Sequence, residues 1–145
     1  MYKKILVPTD GSKKSDLAVQ EGVRLAKALG AEIVVFHVVP ELPAVVAPYA
    51  VRLGESVKGI VEELESSGVE ILKKVQEKYS DPGLKLQTKM SHGDAAMEIC
   101  NEAREGRYDL VVIGSRGLGE IKGFLLGSVS SRVVRHAGCS VLVIR

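Results

Sequence analysis

A glycine-rich segment of the chain has the composition of a phosphate-binding loop. Its glycines are Gly114, Gly117, Gly119, Gly123 and Gly127. Backbone N–H groups can approach anionic oxygens closely where no Cβ intervenes. Gly127 and Ser128 directly precede a helical pattern, and the start of a helix presents N–H groups and a positive dipole end to an anion. The segment therefore favours an anion site over its alternative, a surface loop whose glycines only form turns.

The glycine pattern differs from the two common nucleotide motifs. No Gly-Lys-Ser/Thr follows the glycines, and the segment does not follow the first strand at the spacing of the dinucleotide fingerprint. Ser128 has two interpretations, as a hydroxyl donor to a phosphate or as a simple helix cap. Arg116 also has two, as a phosphate partner or as a solvated loop cation.

The elements that would position these residues alternate between strands and helices. The predicted strands are Lys4–Val7, Ala31–Val39, Leu84–Met90, Leu110–Ile113 and Ser140–Ile144. The predicted helices are 14–29, 53–79, 94–104 and 128–137, with a proline-rich loop at 40–48. Gly59 and Gly68 lie inside the second helix and each costs about 1 kcal/mol relative to alanine, so both are candidate breaks.

Strands that are apolar on both faces belong to parallel sheets covered by helices on both sides. The sequence therefore predicts one α/β domain over residues 1–145, with an open, doubly wound, Rossmann-like five-stranded parallel sheet. Such sheets bind ligands beyond the carboxyl ends of their strands, where the strand order reverses. Two strands end in unusual residues, at Pro8-Thr9-Asp10-Gly11-Ser12 and at Gly114-Ser115-Arg116-Gly117. If the first and fourth strands are neighbours at the reversal, both loops face one crevice.

Composition argues against several other function classes. The chain has 20 Lys and Arg and 18 Asp and Glu, and its basic residues are dispersed, unlike the concentrated footprint of a nucleic-acid-binding protein. No apolar run is long enough for a membrane span, and the start of the sequence lacks the apolar core of a signal peptide. Cys100 and Cys139 are isolated, which favours buried thiols in a reducing compartment over a disulfide or metal pair. A cytoplasmic location is expected.

Several segments of the chain resemble one known family. The spacing Gly114-x2-Gly117-x9-Gly127-Ser128 matches the signature of ATP-binding universal stress proteins without a gap. Agreement extends to Lys3–Asp10, His37-Val38, Ser91–Asp94, Asp109–Gly117 and Ser140–Ile144. The chain therefore resembles the ATP-binding universal stress proteins, whose sheet is of the adenine nucleotide alpha hydrolase-like type. The resemblance implies the strand order 3-2-1-4-5.

The resemblance implies which residues contact the nucleoside. The aspartate matching Asp10 would hold the ribose, in agreement with a carboxylate that accepts hydrogen bonds from sugar hydroxyls. The residue matching Val38 would receive the adenine at its backbone. Pro8, Thr9 and Ile113 would form the walls around the base.

The resemblance also implies which residues lie along the sugar and the phosphates. Gly114 would lie beside the ribose, and Gly117, Gly127, Ser128 and Val129 would contact the phosphates. ATP, or ADP or AMP in its place, would be accompanied by Mg²⁺ or Mn²⁺. Because Mg²⁺ keeps its waters and binds mainly to phosphates, the sequence needs no dedicated metal cage.

Efficient catalysis is not expected from the crevice residues. The candidate bases are Asp10, His37 and His92, but ribose binding explains Asp10, and a packed, hydrogen-bonded histidine explains His37. His92 precedes Asp94, which is predicted to cap a helix. No nucleophile–base pair or metal triad is apparent. The leading hypothesis is an ATP-binding regulatory module, and the alternatives are a weak ATPase or adenylyl-transfer enzyme and an interaction domain with a vestigial site.

The last strand, Val141–Ile144, is expected at an edge of the sheet, where its main-chain groups would lack partners. Pairing with its copy across a two-fold axis removes this exposure, and the resemblance implies the same homodimer. The sequence identifies neither the resident nucleotide nor a downstream protein partner.

Overall fold

Five strands form one parallel sheet in the order β3-β2-β1-β4-β5, as the sequence predicts. They are β1 (Lys4–Pro8), β2 (Glu32–Pro40), β3 (Leu86–Gly93), β4 (Leu110–Gly114) and β5 (Ser140–Ile144). The computed structural model describes residues 1–42, 47–52, 54, 56–117 and 126–145. The order of connection reverses between β1 and β4, which lie next to each other at the centre of the sheet.

Helices cover both faces of the sheet. They are α1 (Lys13–Leu29), α2 (Ala47–Arg52), α3 (Val57–Lys78), α4 (Ala95–Glu105) and α5 (Ser128–His136). Apolar residues of α1 and α3 pack against one face, and those of α4 and α5 pack against the other. The central strands are apolar toward both layers, which is why Ile5, Leu6 and Val7 are all 0% exposed.

Helix boundaries follow local capping chemistry. The α1 helix ends at Gly30, whose φ of 64° is the left-handed conformation that glycine adopts without strain. Asp94 caps α4 as predicted, and its side chain accepts a hydrogen bond of 2.9 Å from the N–H of Met97.

The region between β2 and β3 differs from the prediction. Part of the expected proline-rich loop forms α2, where Pro48 occupies a first-turn position that needs no N–H. The predicted helix 53–79 begins instead at Val57 after the N-cap Ser56, and Leu53 lies outside the described residues. Neither candidate break occurs, because α3 runs continuously through Gly59 and Gly68.

The two edges of the sheet differ in polarity. The β3 edge exposes polar residues such as Gln87 and Lys89, while β5, at the other edge, exposes the apolar Leu142, at 39%. Within the part of the chain that the structure describes, no helix combines the length and hydropathy needed to cross a bilayer.

Candidate functional site

A cleft opens where β1 and β4 separate. Their pairing ends at Leu6 and Val111, two residues before β1 itself ends, so the loops that follow these strands diverge around a shared space. The cleft is partly open to solvent. Its location, beyond the carboxyl ends of the strands where the strand order reverses, is the one expected for a ligand in an open parallel sheet.

Most of the sequence-predicted site residues line this one cleft. They are Pro8, Thr9, Asp10, Val38, Ile113, Gly114, Arg116, Gly117 and Val129. The two remaining predicted residues, Gly127 and Ser128, immediately precede Val129 at the start of α5. The segments that follow β1 and β4 thus face one crevice, as expected if these strands are neighbours.

Asp10 and Gly117 meet across the cleft. A Cβ added to Gly117 would collide with Oδ2 of Asp10, so any larger residue at this position would displace the carboxylate. The other oxygen, Oδ1, accepts a hydrogen bond of 2.9 Å from the N–H of Ser12. One carboxylate is therefore held between the loops that follow β1 and β4.

Gly114 is required for a different contact. A Cβ at this position would lie 2.8 Å from the carbonyl oxygen of Lys14, in the first turn of α1. The glycine at the end of β4 is thus explained by the close approach of α1, whether or not a ligand lies beside it. Ser130 Oγ donates to the Gly114 carbonyl at 2.6 Å and joins α5 to the same point.

The start of α5 offers main-chain donors to the cleft. The N-cap is Gly127, which has no side-chain cap, so the interpretation of Ser128 as a helix cap is wrong: Ser128 is the first residue of the helix. The Gly127 N–H donates to the Ser115 carbonyl at 2.7 Å and is thus engaged within the protein. First-turn N–H groups have no acceptor inside a helix, and Val129, in that turn, lines the cleft.

Known proteins resemble this chain over its whole length. The model of the universal stress protein family matches residues 1–145. A universal stress protein of Methanocaldococcus jannaschii is 39% identical over the whole of this chain and 83% of its own length. Another, of Bacillus subtilis, is 36% identical, with both chains fully covered.

The chain belongs to the universal stress protein family. Among solved members, UspA from Lactobacillus plantarum has a TM-score of 0.83 at 27% identity and covers 99% of this chain and 98% of its own. A universal stress protein solved in complex with cAMP has a TM-score of 0.73 at 26% identity, covering 99% and 97% of the two chains. The five-stranded fold and strand order are those of the family.

Five cleft residues of this family member were not predicted from the sequence. They are Ser15, Phe36, Ala95, Ile99 and Ser130. Phe36 and Ile99 belong to ordinary apolar patterns, which carry no signal for a ligand. Ser15 is buried in the first turn of α1, where its Oγ lies 3.1 Å from Thr9 Oγ1, and only the close approach of α1 and β1 reveals this contact.

The two histidines considered as bases have structural partners. His37 is 6% exposed, and its Nδ1 lies 2.8 Å from the Thr9 carbonyl oxygen, which confirms that it is packed and hydrogen-bonded. His92 is exposed and lies 3.2 Å from Glu65 of α3. Neither is among the residues that line the cleft.

Asp94 and Arg132 join the two helices on the cleft side of the sheet. Both guanidinium nitrogens bind the carboxylate, at 3.0 and 2.9 Å. The hydrogen bond from Arg132, followed by that from the Met97 N–H, lowers the pKa of Asp94 below its usual value. The contact links the start of α4 to α5, and Ala95 and Val129, in the first turns of these helices, both line the cleft.

The cysteines are both free thiols, with Cys100 buried and Cys139 half-buried. Burial raises the pKa of each, which disfavours the reactive thiolate. Among the described residues, no group of three or more His, Cys, Asp or Glu side chains could hold a metal ion.

Proposed function

We propose that the cleft binds an adenine nucleotide and that the protein acts as a nucleotide-responsive regulatory module. The observation that carries this proposal is the convergence of three kinds of group in one cleft. Val38 of β2, the Asp10 carboxylate after β1 and Val129 in the first turn of α5 all line it. The solved relative in complex with cAMP supports an adenine nucleotide as the class of ligand.

The base would bind beside Val38. The β1–β2 pairing ends at Pro8 and Phe36, where the Thr9 N–H donates to the Phe36 carbonyl at 2.8 Å. Val38, two residues further along β2, directs its N–H and C=O toward the same side. An adjacent donor and acceptor match the N1 and N6 edge of adenine, with Pro8, Thr9 and Ile113 as walls.

The ribose and the phosphates would extend from there toward α5. Asp10 would accept hydrogen bonds from ribose hydroxyls, and Gly114 would lie beside the sugar. The phosphates would contact Gly117 and the first turn of α5, including Ser128 and Val129. Gly127 would lie close to the phosphates without donating to them, because its N–H donates to the Ser115 carbonyl. Arg116 lines the cleft and can add a phosphate contact.

A divalent cation, Mg²⁺ or Mn²⁺, would be held chiefly by the phosphates and by water. This mode suits the described residues, which contain no dedicated cluster of metal ligands. The resident nucleotide is ATP, ADP or AMP, since the same main-chain donors serve all three.

Two measurements test the site directly. Mass spectrometry of the small molecule released from the purified, denatured protein should identify an adenine nucleotide. Calorimetry should detect binding, and Gly117→Ala should lower the affinity because its methyl group displaces the Asp10 carboxylate. Gly83→Ala is the matched control, because its added Cβ would lie 3.5 Å from Asp81, an ordinary contact on an exposed turn. Failure to bind at millimolar nucleotide, with or without Mg²⁺, would leave an interaction domain with a vestigial site.

The alternative of a weak ATPase or adenylyl-transfer enzyme rests on the same cleft. It predicts phosphate or pyrophosphate release well above background that disappears in Asp10→Ala. We do not expect efficient turnover, because the histidines considered as bases have other partners.

The protein would form a homodimer through Val141–Ile144. In β5 the Ile144 carbonyl accepts a hydrogen bond from Ser115 on the β4 side, so by alternation the main-chain groups of Val141 and Val143 point away from the sheet. Val143→Pro removes one outward N–H and should shift the protein from dimer to monomer in light scattering. A variant truncated before Val141 that stays dimeric contradicts this arrangement.

Residues 1–145 would form one universal stress protein domain, located in the cytoplasm, without nucleic acid or membrane as a partner. Signalling would require a downstream protein that distinguishes the nucleotide-bound state from the empty state.

A further inference from the structure

The β1–β2 ladder stops one step earlier than its register allows. In a parallel ladder, every second residue of a strand directs its N–H and C=O toward the neighbouring strand. That N–H donates to the carbonyl of the residue before its paired residue, and that C=O accepts from the N–H of the residue after it. Phe36, paired with Pro8, follows this rule, because its carbonyl accepts from the N–H of Thr9. By the same register, Val38 would donate to the Thr9 carbonyl and accept from the Gly11 N–H.

Both of these groups are engaged by side chains instead. The Thr9 carbonyl lies 2.8 Å from Nδ1 of His37, and the Gly11 N–H donates to Thr9 Oγ1 at 3.3 Å. Gly11, with a φ of 81°, turns the chain away from β2. Among the described residues, no hydrogen bond outside the sheet ladders involves the main chain of Val38.

We propose that His37, assisted by Thr9, is the positioning residue of the base site: by occupying the Thr9 carbonyl it keeps the Val38 N–H available to a ligand. This inference rests on the proposed function, since it explains how the main-chain edge that receives the adenine stays open. The imidazole lies on the opposite face of the sheet from the cleft and does not contact the ligand.

The position of the imidazole depends on Gly68 of α3. A Cβ at Gly68 would lie 2.7 Å from Cδ2 and 3.0 Å from Nε2 of His37, and 3.1 Å from Sδ of Met90. The ring is therefore held between the Thr9 carbonyl and the backbone of α3. This contact gives a reason for a glycine inside a continuous helix, where it is otherwise unfavourable.

The hydrogen-bond donor of His37 can be removed or retained by substitution. His37→Leu keeps the apolar packing without a donor, so the Thr9 carbonyl should take up the Val38 N–H and extend the ladder. His37→Asn places an amide N–H near the position of Nδ1 and should preserve the wild-type arrangement. His136→Leu is the matched control, because His136 is exposed at the end of α5.

NMR of the full-length protein without ligand provides the decisive measurement. In His37→Leu, we expect a scalar coupling across a new hydrogen bond from Val38 N to the Thr9 carbonyl carbon. This coupling should be absent in wild type, His37→Asn and His136→Leu. The affinity for adenosine should fall about tenfold in His37→Leu, as expected for one lost hydrogen bond, and stay within about threefold of wild type in the other two.

Thr9→Val provides a second route if His37→Leu does not fold. Without the hydroxyl, the Gly11 N–H should donate to the Val38 carbonyl, and that coupling should appear. The proposal is overturned by a Val38–Thr9 coupling in wild type, by folded variants without the new couplings, or by unchanged adenosine affinity in a variant that has them. A wild-type protein that binds no adenine compound contradicts the proposed function instead, while the couplings still decide this inference.

Discussion

At the end of the cleft beside β2, side chains redirect main-chain groups, whereas at the end beside α5 the helix itself supplies them. The end beside β2, where we propose that the base binds, is called the base end. It depends on contacts made across the sheet, where His37 engages the Thr9 carbonyl and packs against Gly68 of α3. The end beside α5, where we propose that the phosphates bind, is called the phosphate end. It depends on the local backbone, because α5 begins directly after Gly127 without a side-chain cap. The end beside β2 therefore requires contacts between distant parts of the chain, whereas the end beside α5 requires little more than a glycine before a helix.

The difference indicates which end is more sensitive to substitution. At the base end, we propose that two hydrogen bonds, from His37 to the Thr9 carbonyl and from Gly11 to the Thr9 hydroxyl, keep the Val38 N–H and C=O open. Small changes there should therefore affect all adenine ligands. The phosphate end would contact only the phosphates, so loss of a contact there should affect only ligands that carry phosphates. Adenosine and ATP are therefore the two ligands that separate the ends of the cleft.

The largest effect is expected for Asp10→Ala, because Asp10 lies between the ends. Loss of charge-assisted hydrogen bonds to the ribose should weaken adenosine and ATP alike, by tenfold or more for a loss of about 1.5–3 kcal/mol. Calorimetry with both ligands measures this. Asp16→Ala is the control, since Asp16 is exposed in the first turn of α1 and does not line the cleft. A loss confined to ATP would show that Asp10 belongs to the phosphate end.

Gly68→Ala and Gly59→Ala, two identical changes in one helix, test the base end. At Gly68 the added methyl group displaces the imidazole, so overpacking of about 1–3 kcal/mol should outweigh the helix propensity gain of about 1 kcal/mol. At Gly59 the nearest atom would be Ser56 Cβ at 3.6 Å, so the gain should appear as added stability. Urea denaturation gives both values. Adenosine affinity should fall only for Gly68→Ala. Equal stability and equal adenosine affinity in the two variants would show that the contact between Gly68 and His37 does not support the base end.

Arg116→Ala tests the phosphate end. The affinity for ATP should fall severalfold and the affinity for adenosine should not change, because only the phosphates carry charge for the guanidinium to attract. Added salt should reduce the difference between wild type and variant. Arg135→Ala, at an exposed position in the last turn of α5, serves as the control. A comparable loss with adenosine would mean that Arg116 contacts the base end.

Asp94→Asn should have the smallest effect, because the Asp94–Arg132 pair is half-exposed and Asn still caps α4. The pKa of Asp94 is lower in the folded protein than its ordinary value of 3.8, so the charged form stabilises the fold. That contribution is present above pH 3.8 and is lost as the pH falls through the lower folded pKa. Urea midpoints at neutral pH should therefore favour the wild type, with the difference shrinking in acid. A difference that stays constant with pH would assign the effect to packing.

Sequence patterns were sufficient for most of the fold because they are local. Continuous apolar strands, helical spacing and capping residues such as Gly30 and Asp94 act within a few residues of where they lie. The strand ends that carry Asp10 and Gly117 were also identifiable, since a cluster of polar residues and glycines marks the point where a buried strand ends. The helix α2 was missed because proline was taken as a loop signal, although a first-turn proline costs a helix nothing.

The sequence by itself determined the order of strands and helices and the two loops that meet at the cleft, because periodicity and turn chemistry are written in neighbouring residues. Only the tertiary structure decided which main-chain groups stay open there. The partners of the Thr9 carbonyl, Gly68 and Gly114 are 28, 31 and 100 residues away in the sequence. Contacts over such distances form only when the sheet and its helices pack, and no local pattern encodes them.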